Sequence, residues 1–281
     1  MSRKRFLLTA ALASLMIVGL PLSVRAEEAS ADEIARELAN PNTALASLTL
    51  KNQYRFYEGD LPGADDQHGF TLLFQPSLPF PLANGDTLLF RPAIPFQFDQ
   101  PVFDPDSFSF DGKYGLGDVA FDLAYARTAK SGLLTAAGIV STLPTATNPA
   151  LRSNRWLFGP ELLIGYLQPK YVLGIFPNHQ WKIAGGGETA SLTTIQTFTT
   201  YLPGGGWSVG SAPIMTYDWK ASQWTIPINL NVSKTTSIGR QPVKLGLALN
   251  YFVARPDAFG PEWMIEFTIT PVVKNVLAEL F

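Results

Sequence analysis

The sequence predicts an all-β fold: a transmembrane, antiparallel, up-and-down β-barrel of about twelve strands, preceded by a short N-terminal helical segment. Three observations predict it. Long runs alternate strictly between apolar and polar residues, aromatic residues recur ten positions apart on the apolar faces, and charges collect on the opposite faces.

The chain opens with Arg3, Lys4 and Arg5, an apolar run from Phe6 to Leu22, and the exit Ser23-Val24-Arg25-Ala26. That order reads as a signal peptide, residues 1–26, cleaved after Ala26. Its loss leaves 17 basic against 23 acidic residues, a net charge of −6. An acidic balance offers no electrostatic footprint for nucleic acid. The absence of cysteine excludes disulfides, thiolate metal sites and cysteine nucleophiles. Downstream of the leader no run approaches the eighteen apolar residues that a spanning helix needs, yet 46% of the chain is hydrophobic. An exported chain of this kind can enter a membrane only as a closed barrel, because every backbone polar group must then pair between strands.

Residues 27–46 are expected to be an N-terminal periplasmic segment or partial plug, or else a disordered leader. Ser30-Ala31-Asp32-Glu33 has the form of a helix start, Ile34 and Leu38 supply an apolar face, and Asn40-Pro41 ends it. From residue 47 to 273 alternation dominates. Trp224, Ile226, Ile228, Leu230 and Val232 oppose Thr225, Pro227, Asn229 and Asn231; Trp263, Ile265, Phe267 and Ile269 oppose Met264, Glu266 and Thr268. Twelve such runs are expected, near 47–57, 69–79, 87–98, 118–128, 132–143, 155–167, 170–182, 193–202, 206–218, 223–233, 243–254 and 262–273. Odd-numbered connections tend to be long (58–68, 99–117, 144–154, 183–192) and even-numbered ones short. That parity places both termini in the periplasm. The short Lys220-Ala221-Ser222 and the long 234–242 break the rule. Residues 274–281 form a C-terminal tail.

A soluble sandwich also alternates, but these runs are about twice the usual soluble strand length. Trp156 and Tyr166, Tyr171 and Trp181, and Trp207 and Tyr217 stand ten residues apart on single strands. Ten residues at about 3.3 Å, tilted by about 40°, climb roughly 25 Å, the height between the two aromatic girdles. With Trp224 and Trp263 these are the expected membrane-interface aromatics. Lys51, Arg55, Arg91, Asp122, Glu161, Lys182, Asp218, Lys244, Glu262 and Glu266 fall on the polar faces and are the expected pore-lining residues. Twelve strands close at a backbone diameter of roughly 24 Å and leave a gap of roughly 10 Å between side chains. The inward charges either line a conduit or pair into a network that fills the barrel.

Chemistry has few candidates. The two histidines are His68, in the acidic stretch Asp65-Asp66-Gln67-His68, and His179, in Pro177-Asn178-His179-Gln180-Trp181. A hydrolase of the outer-membrane phospholipase type would need one of them beside a serine at the lipid boundary. Gly206-Trp207-Ser208-Val209-Gly210 has the spelling G-x-S-x-G but lies within an expected strand and not at a strand-to-helix turn, so no enzyme and no catalytic residue is expected. Asp104, Asp106, Asp111 and Asp118 do not have calcium-loop spacing, and Gly185-Gly186-Gly187 and Gly204-Gly205-Gly206 precede no helix. No metal and no cofactor is expected.

The chain resembles the outer-membrane β-barrels labelled as meta-pathway phenol-degradation proteins, the MetA-pathway phenol degradation-like transporters. The matching residues are Gly115-Leu116-Gly117-Asp118, Leu143-Pro144-Thr145-Ala146-Thr147, Trp156-Leu157-Phe158-Gly159-Pro160 and Asn178-His179-Gln180-Trp181. They continue through Pro203-Gly204-Gly205-Gly206-Trp207, Thr216-Tyr217-Asp218-Trp219, Trp224-Thr225-Ile226-Pro227, Gly239-Arg240-Gln241-Pro242-Val243 and Arg255-Pro256-Asp257. The resemblance covers nearly the whole exported chain and implies a porin-like barrel in the Gram-negative outer membrane, passing small hydrophobic or aromatic compounds. It brings no catalytic residues. The tail Lys274 to Leu280 departs from the family, whose last strand ends the chain. The expected partners are outer-membrane lipid, a small-molecule solute and the barrel assembly machinery. Two other readings stand beside the channel: a closed structural or lipid-interacting barrel, and an interfacial lipid hydrolase or acyltransferase.

Overall fold

Strands that are apolar on one face and polar on the other satisfy every backbone group in lipid only by closing on themselves. The computed structural model describes residues 30–280, and the leader expected at 1–26 lies outside the described residues. Within them a helix, α1 (Ala31–Ala39), precedes fourteen strand segments: β1 (Ala46–Glu58), β2 (His68–Pro81), β3 (Thr87–Asp104), β4 (Ser109–Leu116), β5 (Val119–Thr128), β6 (Leu133–Leu143), β7 (Trp156–Leu167), β8 (Tyr171–Ala184), β9 (Ser191–Gly204), β10 (Trp207–Ser211), β11 (Ile214–Asp218), β12 (Gln223–Ile238), β13 (Gln241–Ala254) and β14 (Gly260–Val273).

Each strand pairs antiparallel with its neighbours, and β1 pairs with β14, so the sheet closes. β4 and β5 both pair with β3, and β10 and β11 both pair with β9 and β12; each couple is one interrupted barrel strand, which makes the barrel twelve-stranded. All twelve expected strands are present. At the break between β10 and β11 the Asn229 side chain replaces the missing ladder contact, its Oδ1 accepting from the Ala212 amide at 2.7 Å. The outward parity is therefore kept from Trp207 to Tyr217.

Two expected connections are strand instead. Residues 99–104 and 109–116 extend the sheet as a protruding hairpin, in which Phe103 opposes Phe110. The stretch 234–242 also pairs, from Lys234↔Leu245 to Ile238↔Gln241, leaving Gly239-Arg240 as a tight turn with Gly239 at φ 63°. Its Ser and Thr residues do not alternate in hydropathy, so the sequence pattern failed there while the backbone still paired. The short connection at Lys220-Ala221-Ser222 is genuine, since β11 ends at Asp218 and β12 begins at Gln223.

Burial follows the alternation without interruption along β7, where Trp156, Phe158, Leu162, Ile164 and Tyr166 are exposed and Leu157, Glu161, Leu163 and Leu167 are buried. A fold whose exposed side is the apolar one is built for lipid. Among the described residues no helix is long and apolar enough to cross a membrane.

α1 begins with a capping box: Ser30 Oγ accepts from the Glu33 amide, and Glu33 Oε2 accepts from the Ser30 amide at 2.7 Å. Asp32 accepts from the Gly206 amide in the β9–β10 turn. Beyond the helix, Asn42 Nδ2 donates to the carbonyls of Arg127 and Thr135, on β5 and β6, at 3.0 and 3.1 Å. Those anchors lie four strands apart in a ring of twelve, so the segment crosses the mouth of the barrel as a chord. The C-terminal tail packs at the same end, with Asn275 Nδ2 donating to the Pro79 carbonyl at 2.6 Å.

Candidate functional site: the barrel interior and its rims

The interior has two unlike walls. Leu89, Ala124, Ala126, Leu134, Ala136, Leu163, Leu167 and Val172 form one buried apolar cluster, joined by Phe176, Phe198 and, from the segment at the mouth, Ala39. The sequence reading left the inward charges either lining a conduit or pairing into a network and did not single out an apolar inner wall; this wall is dry because its small and aliphatic side chains meet each other and the N-terminal segment. The facing wall, on β12, β13, β14, β1 and β2, is polar, with Asn229, Asn231, Ser233, Thr235, Asn250, Thr270, Ser47, Gln53 and Thr71 on its inner face.

The charges predicted on the polar faces fall into three groups. Arg91, Asp122 and Glu161 meet on the inner face at mid-height: Arg91 Nε donates to Asp122 Oδ1 at 2.7 Å, and Arg91 Nη2 stands 3.9 Å from Glu161 Oε1. The guanidinium also lies 4.9 Å from the Phe176 ring centre. One cation thus serves two carboxylates, and Glu161, with its side chain only 2% exposed, holds the weaker contact. The second group is a relay: Arg55 donates to Gln53 Oε1 at 2.6 Å and to Thr71 Oγ1 at 3.1 Å, and Gln53 Nε2 donates to Glu266 Oε2 at 2.7 Å. Lys51 and Lys244 flank β14 from either side, opposite Thr268 and Thr270, and Glu262 shares the inner parity of Glu266. The third group sits at the rim away from the termini and is engaged locally. Lys182 Nζ donates to the Gly187 carbonyl, and Asp218 Oδ1 accepts from the amides of Lys220 and Ala221, closing the turn into β12.

Outside, the expected interface rings lie in two belts at opposite ends of the strands that carry them, β7, β8, β10, β11, β12 and β14. Trp156, Trp181, Trp224 and Trp263 are exposed toward the loop end, with half-buried Tyr217 beside them; Tyr166, Tyr171 and Trp207 are exposed toward the end that carries the termini. Trp156 Nε1 donates to Ser141 Oγ at 3.0 Å, which ties the indole to the neighbouring strand β6.

Sequence reasoning missed a column of rings at the loop end. Phe108, at the hairpin tip and 69% exposed, lies 6.5 Å from Phe103, which lies 5.1 Å from Phe110. Phe110 is 4.7 Å from Phe259, which stacks on Tyr57 at 4.6 Å. The Tyr57 hydroxyl donates to Gln100 Oε1 at 3.2 Å. The available signal was the Phe-rich composition of 99–117, but nothing local showed that Phe259 and Tyr57 would complete the column.

His68 is exposed at the start of β2. His179 lies on the outward face of β8, opposite Thr193 on β9, while Trp181 opposes Ser191. Its Nδ1 is 2.7 Å from Thr193 Oγ1 and its Nε2 is 3.2 Å from Ser191 Oγ. Among the described residues no group of three His, Cys, Asp or Glu could hold a metal ion. Asp118 instead accepts from the amides of Ala146 and Ser153, at 3.0 and 2.9 Å, docking loop 144–155 on the β4–β5 break.

The chain is similar to the crystal structure of the COG4313 outer membrane channel from Pseudomonas putida F1, with a TM-score of 0.59 and 14% identity over 81% of this chain and 94% of that one. It is also similar to the NanC porin, with a TM-score of 0.49 and 10% identity over 81% of this chain and 99% of that one. The first likeness shows the barrel fold. No family model matches the sequence, and no curated protein matches it.

Proposed function

We propose that this chain is an outer-membrane channel that admits small organic solutes, aromatic ones among them, by passive diffusion. The observation that carries the reading is the column of rings from Phe108 to Tyr57, which leads from the hairpin tip to the mouth of the barrel. Offset and edge-on ring contacts hold planar apolar molecules at modest cost. Inside, an apolar wall faces a polar one, so a solute with one greasy and one hydrogen-bonding side meets a partner for each. Lys51, Arg55, Arg91, Asp122, Glu161, Lys244, Glu262 and Glu266 would line this path, with Lys182 and Asp218 at its entrance. The similarity to a channel barrel supports the reading, and the resemblance to the phenol-degradation family agrees with it.

Swelling of liposomes carrying the purified barrel tests it, with sodium 4-hydroxybenzoate and arabinose as iso-osmotic solutes and planar-bilayer conductance alongside. The expected result is measurable conductance and faster entry of 4-hydroxybenzoate, reduced several-fold in Phe108→Ala/Phe110→Ala while arabinose entry is unchanged. A barrel sealed to both solutes and to ions rejects the proposal.

A closed, lipid-interacting barrel is the second reading, favoured by the N-terminal segment across the mouth and the apolar cluster beneath it. Deleting residues 30–43 separates the two. A channel keeps its solute preference and conducts more, whereas a barrel shut by its own inner wall stays sealed.

A further inference from the structure

The outward face near the loop-end girdle carries a polar chain that a lipid-facing wall does not need for packing. Ser191 Oγ stands 3.2 Å from His179 Nε2, and His179 Nδ1 stands 2.7 Å from Thr193 Oγ1. Trp219 Nε1 donates to the same Thr193 oxygen at 2.8 Å. Indole N–H is only a donor, so Thr193 Oγ1 accepts from it and keeps a second lone pair. That lone pair accommodates an Nδ1–H of His179, which leaves Nε2 as an acceptor for the Ser191 hydroxyl proton. The imidazole is further held against Trp181, ring centres 4.3 Å apart. Nucleophile, base and orienting group therefore occur in series, each within hydrogen-bond reach of the next.

Strand pairing makes this arrangement. His179↔Thr193 and Trp181↔Ser191 are cross-strand partners, so all four side chains share the outward face. Beside them lies a cleft of about 520 Å³, lined by Trp181, Ser191 and Lys220 among others. It is large enough for the ester and headgroup region of a lipid, and Lys182 and Lys220 in its lining supply positive charge.

From this geometry we propose that Ser191 and His179 form an acyl-ester hydrolase site for lipids presented in the surrounding leaflet, an activity separate from conduction through the interior. Ser191 Oγ attacks the ester carbonyl carbon as His179 Nε2 takes its proton. The tetrahedral intermediate, its oxyanion facing the Lys220 ammonium, collapses with cleavage of the carbonyl-carbon–alkoxy-oxygen bond. The alcohol leaves with the proton from His179. Water from the headgroup layer, deprotonated by His179, then cleaves the acyl-serine, releases the fatty acid and restores the hydroxyl. Thr193 and Trp219 are positioning residues, acting through the imidazole.

The test uses the full chain folded in detergent. A fluorophosphonate probe and 4-nitrophenyl hexanoate report nucleophile reactivity and turnover, while heat-modifiable gel migration reports folding. The proposal expects probe attachment at Ser191, ester turnover lost in Ser191→Ala, and turnover reduced by about 10²–10⁴-fold in His179→Ala. Ser191→Ala removes a single hydroxyl, so it keeps the test valid should His179→Ala fail to fold. An unlabelled, inactive folded chain overturns the proposal and leaves the cluster as polar groups satisfying one another at the membrane boundary. Turnover that survives Ser191→Ala overturns it equally. Conductance is expected to be the same in Ser191→Ala as in the unsubstituted barrel, so failure of one proposal does not entail failure of the other.

Discussion

Arg91 is the residue on which the inner charge balance turns. It bonds Asp122 at 2.7 Å, reaches Glu161 at 3.9 Å, and is itself only 16% exposed. Removing a buried ion's partner costs more than the pair contributes, because the remaining charge stays desolvated. Arg91→Ala is therefore expected to lower stability by about 3 kcal/mol in urea unfolding from lipid vesicles. Asp122→Asn should cost less, since Arg91 keeps Glu161 as a partner. The polar side of each strand was legible in the sequence by parity alone. That these three side chains, from β3, β5 and β7, meet was not, because their contact follows from strand register across the sheet. The same holds outside: His179 was a candidate on chemical grounds, but its serine, twelve positions away, became visible only once Trp181 was paired with Ser191.

At the scale of the element, the segment from Ser30 to Thr43 shows how a helix too short to be stable alone is held. The capping box sets its start, and Asp32 bonds the turn at Gly206. Gly206 has φ 75°, and a Cβ there would collide with the Thr235 carbonyl and touch Ala31. Asn42 closes the far end with two backbone carbonyls. Asn42→Ala is expected to leave the barrel's gel migration unchanged and to raise amide exchange across residues 31–43, because it frees one anchor without touching the sheet. Undiminished protection there would show that the apolar contact of Ala39 alone holds the segment. The helix could be read from Ser30-Ala31-Asp32-Glu33, since capping is local chemistry. Its docking place could not, since Gly206 and Arg127 are far along the chain. The hairpin at 99–116 gives the converse lesson: Asp99 adopts φ 54° at the bulge where β3 leaves the barrel wall. A pattern of period two has no means of announcing such a change of direction.

For the whole molecule the decisive property is its inversion, apolar outside and polar or closely filled within. Leu230, 63% exposed on the outward face of β12, lies between the two aromatic belts. Leu230→Arg is expected to cost about 2–4 kcal/mol in vesicle-based unfolding, the penalty of a charge at the lipid midplane. Its inward neighbour Asn231→Arg should cost far less, because the polar wall can solvate it. Equal penalties at both positions would contradict the inversion. Strand number, order and the sidedness of nearly every strand residue were determined by the sequence itself, because alternation, girdle spacing and turn residues are all local signals. The structure alone decided that one inner wall is dry, that the rings of Phe110, Phe259 and Tyr57 form a column, and that Ser191 meets His179. Those contacts join residues distant in the chain, and only the register of a sheet closed upon itself brings them within reach.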